Sequence, residues 1–125
     1  MILNIGYPDK IFIKQVQQDQ KEKKALILFF DVDGTLYTTV GEKDPNIENL
    51  LAVLFSLNQF FYLFAWSGGG DWYAKRVCEE LTLSVHFDGF FSKLEDLPFE
   101  PDITIDDDDY TAKGKLNLKI LKSRQ

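Results

Sequence analysis

Acidic side chains follow two apolar segments of the chain, and their types and spacing suggest metal-assisted chemistry. Asp31 and Asp33 come directly after the apolar run Ala25–Phe30, and Asp106 and Asp107 follow a shorter apolar run. Burying a carboxylate is costly unless a cation or hydrogen-bond donors compensate its charge. Carboxylates are also the protein ligands that Mg²⁺ prefers. We therefore predict that Asp31, Asp106 and Asp107 supply carboxylates to one Mg²⁺ site.

Two neighbouring carboxylates can have different chemical roles in phosphoryl transfer. A loop beginning at Gly34 can turn so that Asp31 and Asp33 face one pocket, with only one of them beside the metal. Such a difference in surroundings separates their pKa values. The metal-bound carboxylate can then act as nucleophile, while the other transfers a proton to the leaving group and later removes one from water. Thr35, Ser67 and nearby backbone amides are candidate ligands of phosphoryl oxygens, and a lysine would add positive charge.

The apolar runs before these polar residues predict the strands that position them. Ala25–Phe30 and Phe60–Trp66 have the continuous apolar character of strands covered on both faces, and a third, shorter strand is expected at Asp102–Ile105. The alternating pattern at Lys115–Leu121 predicts an edge strand. Strands that alternate with helices form a parallel sheet, whose carboxyl ends lie at one edge. The acids and Ser67 are therefore expected to converge there.

Helices are predicted between the strands, and a different structure is predicted near the N-terminus. Asp44 is expected to cap a helix that has Pro45 in its first turn and ends near Leu57. Asp71 is expected to cap a second helix, Asp71–Leu81. The turn-like sequence Gly6–Lys10 predicts a hairpin within Met1–Val16. The polar segment Gln15–Lys24 is interpreted as a loop or a frayed helix.

Three segments resemble signatures of the haloacid dehalogenase-like (HAD) superfamily of phosphohydrolases. "LILFFDVDGTLY" is similar to the first signature, a strand ending in Asp-x-Asp-Gly-Thr-Leu; "FYLFAWSGG" to the second, a strand ending in Ser or Thr; and "PDITIDD" to the fourth, a strand ending in paired acids. The third signature is a lysine. Lys93 matches it better because it follows "FDGFFS", and Lys75 is the alternative.

The resemblance implies a role for each matching residue. Asp31 would be the nucleophile that forms an aspartyl-phosphate. Asp33 would be the general acid and base, with its backbone carbonyl on the metal. Ser67 would hold a phosphoryl oxygen, and Lys93 would stabilise Asp31 and the transferred phosphate. The implied substrate-binding residues are Gly34, Thr35 and Gly68, and the implied metal ligands are Asp31, Asp33, Asp106 and Asp107.

The resemblance also implies the architecture. We expect one α/β domain over residues 1–125, a Rossmann-like three-layer sandwich with a mainly parallel, HAD-like sheet. Its core would be 25–109, and 1–24 would be an extension. Both positions where the family inserts a cap are too short for one, which predicts a capless member. An open site would admit a macromolecular phosphorylated substrate, such as a phosphoprotein, a nucleic-acid end or a glycan phosphate, or would be covered by a second subunit.

Other functions remain open at this point. Asp33 favours phosphoryl chemistry over dehalogenation, because the dehalogenases of the family lack this residue. A catalytically idle module that binds Mg²⁺ or a phosphorylated partner is the main alternative, and a phosphotransferase is another. A calcium-binding EF-hand loop would place Leu36 where its sharp turn needs glycine. A strand is also predicted before the loop, where an EF-hand has a helix.

Composition limits partners and location. The formal net charge of −6 argues against general affinity for nucleic acid or anionic membranes. The single cysteine, Cys78, excludes an internal disulfide and fits a reducing compartment. No apolar run approaches transmembrane length, and the N-terminus lacks the pattern of a signal peptide. We therefore expect a cytoplasmic protein.

Overall fold

The fold is seen in a computed structural model, which describes residues 6–39, 42–107 and 114–119. The main chain forms three α-helices, seven strands and a short 3₁₀ turn within these residues. In chain order they are α1 (Lys10–Lys21), β1 (Leu26–Asp31), β2 (Tyr37–Thr39), β3 (Glu42–Lys43), α2 (Pro45–Ser56), β4 (Phe61–Ser67), α3 (Asp71–Glu80), the 3₁₀ turn (Ser84–His86), β5 (Gly89–Ser92), β6 (Ile103–Asp106) and β7 (Leu116–Lys119).

Five strands form one parallel sheet in the order β5-β4-β1-β6-β7. After β1 the chain builds the sheet outward through β4 and β5, and it then returns to the other side of β1 for β6 and β7. This reversal lies between β1 and β6, and ligands of parallel sheets bind beside such a point at the carboxyl ends of the strands. The acids that end β1 and β6 therefore lie at the position where a ligand site is expected.

The sheet lies between two layers of helix, which confirms the predicted three-layer α/β sandwich. Alternate residues of a strand point to opposite faces. Leu28 and Phe30 accordingly pack in the core with α2 and α3, while Ile27 and Phe29 pack with α1. All four side chains are buried. The continuous apolar character of β1 thus reflects coverage on both faces, as in other parallel sheets.

The helix after Asp44 agrees with its sequence prediction. The Asp44 side chain accepts a hydrogen bond of 2.9 Å from the backbone N–H of Asn46, and Pro45 is the first helical residue. Ile47 and Leu51 of α2 are buried against the sheet. The predicted cap of α3 is wrong by one position. Gly70, with φ of +105°, precedes that helix, and Asp71 is its first residue.

The hairpin predicted within Met1–Val16 is wrong over its described part. Lys10–Lys21 is helical, so of the two alternatives for Gln15–Lys24 the helix is confirmed as far as Lys21 and the loop is wrong there. Asp9 caps α1 by accepting a hydrogen bond of 2.9 Å from the backbone N–H of Phe12. Val16 is buried, with Phe12 and Ile13 partly buried beside it. The helix forms because these apolar side chains share one face, which covers the sheet.

The predicted edge strand is confirmed as β7, which pairs with β6 in parallel. The predicted residues Ile120 and Leu121 lie outside the described part of the chain, as do residues 1–5 of the predicted hairpin. No cap domain is present in the described ranges: β2 and β3 form only a small ribbon after β1, and β4 is connected to β5 through α3 and the 3₁₀ turn. In the same ranges, no helix has the length and apolarity needed to cross a bilayer.

Candidate active site

Four strand ends bring the predicted site residues to the carboxyl edge of the sheet. Asp31 ends β1, Ser67 ends β4, and Asp106 ends β6, while Lys93 follows the last residue of β5. The register aligns Asp31 with Trp66, so that Ser67 lies one residue further along the neighbouring strand. The fold thereby places next to one another residues that are up to 75 positions apart in sequence.

Lys93 connects the acids of β1 and β6. Its ammonium lies 2.5 Å from Oδ1 of Asp31 and 2.9 Å from Oδ2 of Asp106. The ammonium is also 5.6 Å from the ring centre of Trp66. The backbone N–H of Lys93 donates a hydrogen bond of 3.0 Å to the carbonyl oxygen of Ser67, which attaches the lysine to the end of β4. Because only 12% of the Lys93 side chain is exposed, these charges interact with little screening by water.

The carboxylates of Asp31, Asp106 and Asp107 form a compact cluster. One oxygen from each lies within 4.8 Å of the others. The hydroxyl of Thr35 donates a hydrogen bond of 3.2 Å to Oδ2 of Asp31, which links the loop after β1 to this cluster. Asp31 and Asp106 are buried, and Asp107 is partly exposed. Three carboxylates facing one ammonium leave an excess of negative charge.

This excess affects the protonation of the site. Burial raises the pKa of Asp31 to about 7; Lys93 opposes the rise, and the charges of Asp106 and Asp107 add to it. The pKa of Asp107 is also raised, first by burial and then by its hydrogen bond with Asp106. Burial lowers the pKa of Lys93, but its contacts with Asp31 and Asp106 outweigh that effect and raise it, so that the lysine stays charged.

The donor set fits a hard divalent cation. Oxygen ligands from two neighbouring strand ends suit Mg²⁺, which is usually held by one or two carboxylates together with water and phosphate. A cation would also compensate the carboxylates that burial and mutual repulsion disfavour. The residues that would hold it are Asp31, Asp106 and Asp107. The Asp33 side chain is not part of this cluster, and its backbone carbonyl remains only a predicted ligand.

Gly34 allows Asp107 to approach the loop after β1. A Cβ atom at residue 34 would lie 2.1 Å from Oδ2 of Asp107, far closer than two such atoms can approach. The backbone of Gly34 has φ of +83°, a left-handed conformation that side chains disfavour. The Gly-Thr pair of the first motif therefore has two separate functions here, since Gly34 makes room for Asp107 and Thr35 binds Asp31.

We predict that Gly34→Ala weakens Mg²⁺ binding by about tenfold or more, because Asp107 must move away from the cluster; one lost charged contact is sufficient for this effect. Isothermal titration calorimetry measures the affinity. Gly70→Ala is a matched control, because Gly70 also has positive φ but no described atom lies within 4 Å of its ideal Cβ. Equal Mg²⁺ affinity in Gly34→Ala and the parent protein would contradict the prediction.

Two tyrosines that the sequence analysis did not identify hold Asp33. The hydroxyl of Tyr37, from β2, donates a hydrogen bond of 2.5 Å to Oδ1 of Asp33, and the hydroxyl of Tyr73, from α3, donates one of 2.7 Å to the same oxygen. Burial and then Asp33 raise the pKa of Tyr37, and the bond to Asp33 is the main cause of the raised pKa of Tyr73. Both hydroxyls are therefore protonated donors at neutral pH.

The remaining predicted residues line the edge of the site. Ser67 is buried, and its Oγ accepts a hydrogen bond of 3.0 Å from the backbone N–H of Gly69. Gly68 is exposed, and no described atom lies within 4 Å of its ideal Cβ. Lys75, the alternative lysine, lies on α3, whereas Lys93 is the residue paired with Asp31. Asp108 and Asp109 lie outside the described residues.

Comparisons of the chain with protein-family models, with curated proteins and with solved structures found no match. The fold and the site by themselves define an α/β protein with a buried acidic cluster at the carboxyl edge of a parallel sheet. The resemblance to HAD phosphohydrolases remains a prediction from the sequence.

Proposed function

We propose that this protein is a Mg²⁺-dependent phosphatase that hydrolyses phosphate monoesters through an aspartyl-phosphate on Asp31. The observation that carries the proposal is the contact of Asp31 with Lys93 and Thr35, beside two further acids from a neighbouring strand end. Phosphoryl transfer needs a positioned nucleophile and positive charge at the phosphoryl oxygens. Lys93 would supply part of that charge, and Mg²⁺ held by Asp31, Asp106 and Asp107 would supply the rest.

The proposed reaction has two steps. In the first, a carboxylate oxygen of Asp31 attacks phosphorus, the bond from phosphorus to the leaving oxygen breaks, and Asp33 gives a proton to that oxygen. In the second step, water attacks the phosphoryl group, Asp33 removes a proton from the water, and the bond from phosphorus to Asp31 breaks. Phosphate is released, and the carboxylate of Asp31 is regenerated. The hydroxyl of Ser67, whose Oγ accepts a hydrogen bond from the backbone N–H of Gly69, would donate to a phosphoryl oxygen.

The open edge of the site supports a large phosphorylated substrate. Gly68 is exposed beside the strand ends, and the described residues contain no cap domain. A phosphate carried by a protein, a nucleic-acid end or a glycan could therefore reach Asp31 without a lid having to open. A panel that compares phosphopeptides and phosphorylated oligonucleotides with small sugar phosphates tests this class, and a strong preference for the small substrates would contradict it.

The function is tested by the release of nitrophenol from para-nitrophenyl phosphate with Mg²⁺ and with excess EDTA. We expect turnover only with Mg²⁺. Beryllium fluoride, which imitates a phosphoryl group on aspartate, should bind with Mg²⁺ and give a discrete signal in ¹⁹F NMR. A chain that binds Mg²⁺ but gives neither turnover nor a fluoride signal would instead be the idle module.

The tyrosine contacts predict a graded loss of turnover. Tyr37→Phe and Tyr73→Phe each remove one donor from Asp33, so we expect kcat to fall by about three- to tenfold with KM little changed. The double variant should approach the loss caused by Asp33→Asn, which general acid–base catalysis sets at roughly 10²–10⁴-fold. Steady-state kinetics measures both constants.

Tyr62→Phe is the matched control for these variants. The Tyr62 hydroxyl also donates to an aspartate, Asp19, at 2.5 Å, but this contact lies on the α1 side of the sheet. We expect Tyr62→Phe to leave kcat unchanged. If Tyr73→Phe lowers kcat no more than Tyr62→Phe does, the tyrosines do not position Asp33 for catalysis.

A further inference from the structure

A cavity lies at the opposite edge of the sheet from the acidic cluster. It has a volume of about 530 Å³ and is formed by the end of α1, the starts of β1 and β4, and the residue before β7. The six residues of β1 separate the two edges by about 17 Å. Pockets for small molecules have volumes of roughly 300–1,000 Å³, so this cavity has the size of a ligand site.

Basic side chains surround this cavity although the chain as a whole is acidic. Lys23, Lys24 and Lys115 line it, with Asp102 as the single acid. The Asp102 carboxylate is already occupied, because it accepts a hydrogen bond of 2.8 Å from the backbone N–H of Ile27 and pairs with Lys115 at 3.3 Å. Lys24 is likewise paired, with Glu22 at 2.9 Å. Of the three lining lysines, Lys23 therefore supplies the positive charge that no described acid balances, in a protein whose formal charge is −6. An anion would be attracted to this edge and repelled by the other.

Lys23 has a backbone conformation that lysine does not favour. Its φ is +58°, and it follows the last turn of α1, where glycine is the usual residue in the left-handed conformation. Lys23 has no ion-pair partner among residues 6–39, 42–107 and 114–119. A lining residue with a strained backbone, whose charge no described acid balances, is the kind of outlier that leads to a hypothesis of binding.

The base of the cavity is apolar and partly aromatic. Phe60 is 51% exposed, Leu26 is 45% exposed, and Phe61 is half-buried beside them. Exposed rings and aliphatic side chains next to ammonium groups match a molecule that has a flat apolar body and one negative charge. A purely polar anion would leave these apolar surfaces in water.

We propose that this cavity binds a small anionic molecule with an aromatic body, whose ring lies on Phe60 and Leu26 and whose charge faces Lys23. The proposal is independent of the phosphatase function, because it uses none of the residues at the carboxyl edge. It identifies the ligand by its chemistry, which is an aromatic carboxylate, sulfonate or phosphate ester.

The probe for this site is 1-anilinonaphthalene-8-sulfonate, which has such a body and one negative charge. We expect its fluorescence to rise on binding and its affinity to fall with added NaCl. N-phenyl-1-naphthylamine, which has the same rings without the sulfonate, should bind about tenfold more weakly because it lacks the charged contact. In ¹⁵N NMR spectra, the shifted amides should be those of residues 23–26, 60–61 and 115. Equal binding of the two probes, or shifts confined to other surfaces, would overturn the proposal.

Two variants test the charge and the ring separately. Lys23→Gly removes the ammonium but suits the left-handed backbone, so the fold should keep or gain stability while affinity for the sulfonate falls by about threefold. Phe60→Ala should weaken both probes by about fivefold. Lys14→Gln and Val53→Ala are controls, since each removes an exposed lysine or an exposed apolar side chain away from the cavity. Loss of affinity in the controls equal to that in the test variants would contradict the assignment.

Discussion

Phosphate release by Asp31→Asn should be lower than in the parent protein by about four orders of magnitude, as expected when the nucleophile of a covalent mechanism is removed. Asparagine keeps the shape of the side chain but cannot form the acyl-phosphate. The fold and the neighbouring contacts of Thr35 and Lys93 should be retained. Burst kinetics and acid-quench trapping with labelled phosphate should detect the phosphorylated enzyme in the parent and in Asp33→Asn, but not in Asp31→Asn.

The same substitution should stabilise the metal-free protein at neutral pH. Burial raises the pKa of Asp31 to about 7, above the usual value for an aspartate in an unfolded chain. Between about pH 4 and pH 7 the folded chain therefore keeps a proton that the unfolded chain has lost, and the free energy of unfolding falls as pH rises through this window. Asparagine does not titrate, so the variant lacks this fall.

Urea unfolding of the parent and of Asp31→Asn from pH 4 to pH 8, without metal, measures this effect. We expect the two stabilities to diverge as pH rises, with Asp31→Asn the more stable protein at pH 7.5. Mg²⁺ should stabilise the parent more than the variant. If the parent protein instead gains stability relative to the variant between pH 4 and pH 7, the negative charge of Asp31 is compensated more fully than its described contacts indicate.

Turnover by Asp31→Asn equal to that of the parent protein would exclude Asp31 as the nucleophile.

Lys93→Met should have the second large effect, on stability and activity together. Asp31 and Asp106 would lose their shared cation while remaining buried. Breaking a buried ion pair by removing one partner costs about 3–5 kcal/mol. We expect a loss of that order at pH 7.5 without metal and a smaller loss at pH 5, where Asp31 takes up a proton. Turnover should fall by roughly 10²–10³-fold, as when one transition-state donor is removed.

Lys75→Met is the matched control for this substitution. Lys75 lies on α3 and is the other lysine that the sequence offers for the third signature. The same chemical change there should leave turnover within about twofold of the parent, and stability should change by no more than ~1 kcal/mol. Urea unfolding and steady-state kinetics measure both effects. If Lys75→Met abolishes turnover and Lys93→Met does not, the two lysines have been assigned the wrong way round.

Four of the five sheet strands are predicted by the order of apolar residues along the sequence, and the short strand β5 is not. The apolar runs at β1 and β4 predict burial on both faces, and Asp44-Pro45 marks the start of α2. The start of the first helix, α1, has a sequence that predicts part of a hairpin instead. Ile11 and Ile13 alternate as in a strand, although Ile11 is 82% exposed. The cap at Asp9 and the spacing of Phe12 and Val16 were the better signals.

The candidate site could be predicted only where its residues follow strands. Asp31 and Asp106 were expected to meet because the carboxyl ends of neighbouring parallel strands lie together. The hydrogen bonds of Tyr37 and Tyr73 to Asp33 could not be predicted, because Tyr73 comes from a helix 40 positions away. Its placement depends on how α3 packs, and a tyrosine in a helix carries no signal of that contact. Tyr37 lies only four positions after Asp33, so its contact with Asp33 is the more predictable of the two.

The unobstructed space around Gly68 has a consequence for protein engineering. Described atoms leave at least 4 Å free around a Cβ at this position, and the residue lies between β4 and α3, outside the paired strands. A longer segment grafted here would extend into solvent above the acids without changing the register of the sheet. Libraries of such grafts could add substrate selectivity to a scaffold in which residues 6–39, 42–107 and 114–119 form no cap domain.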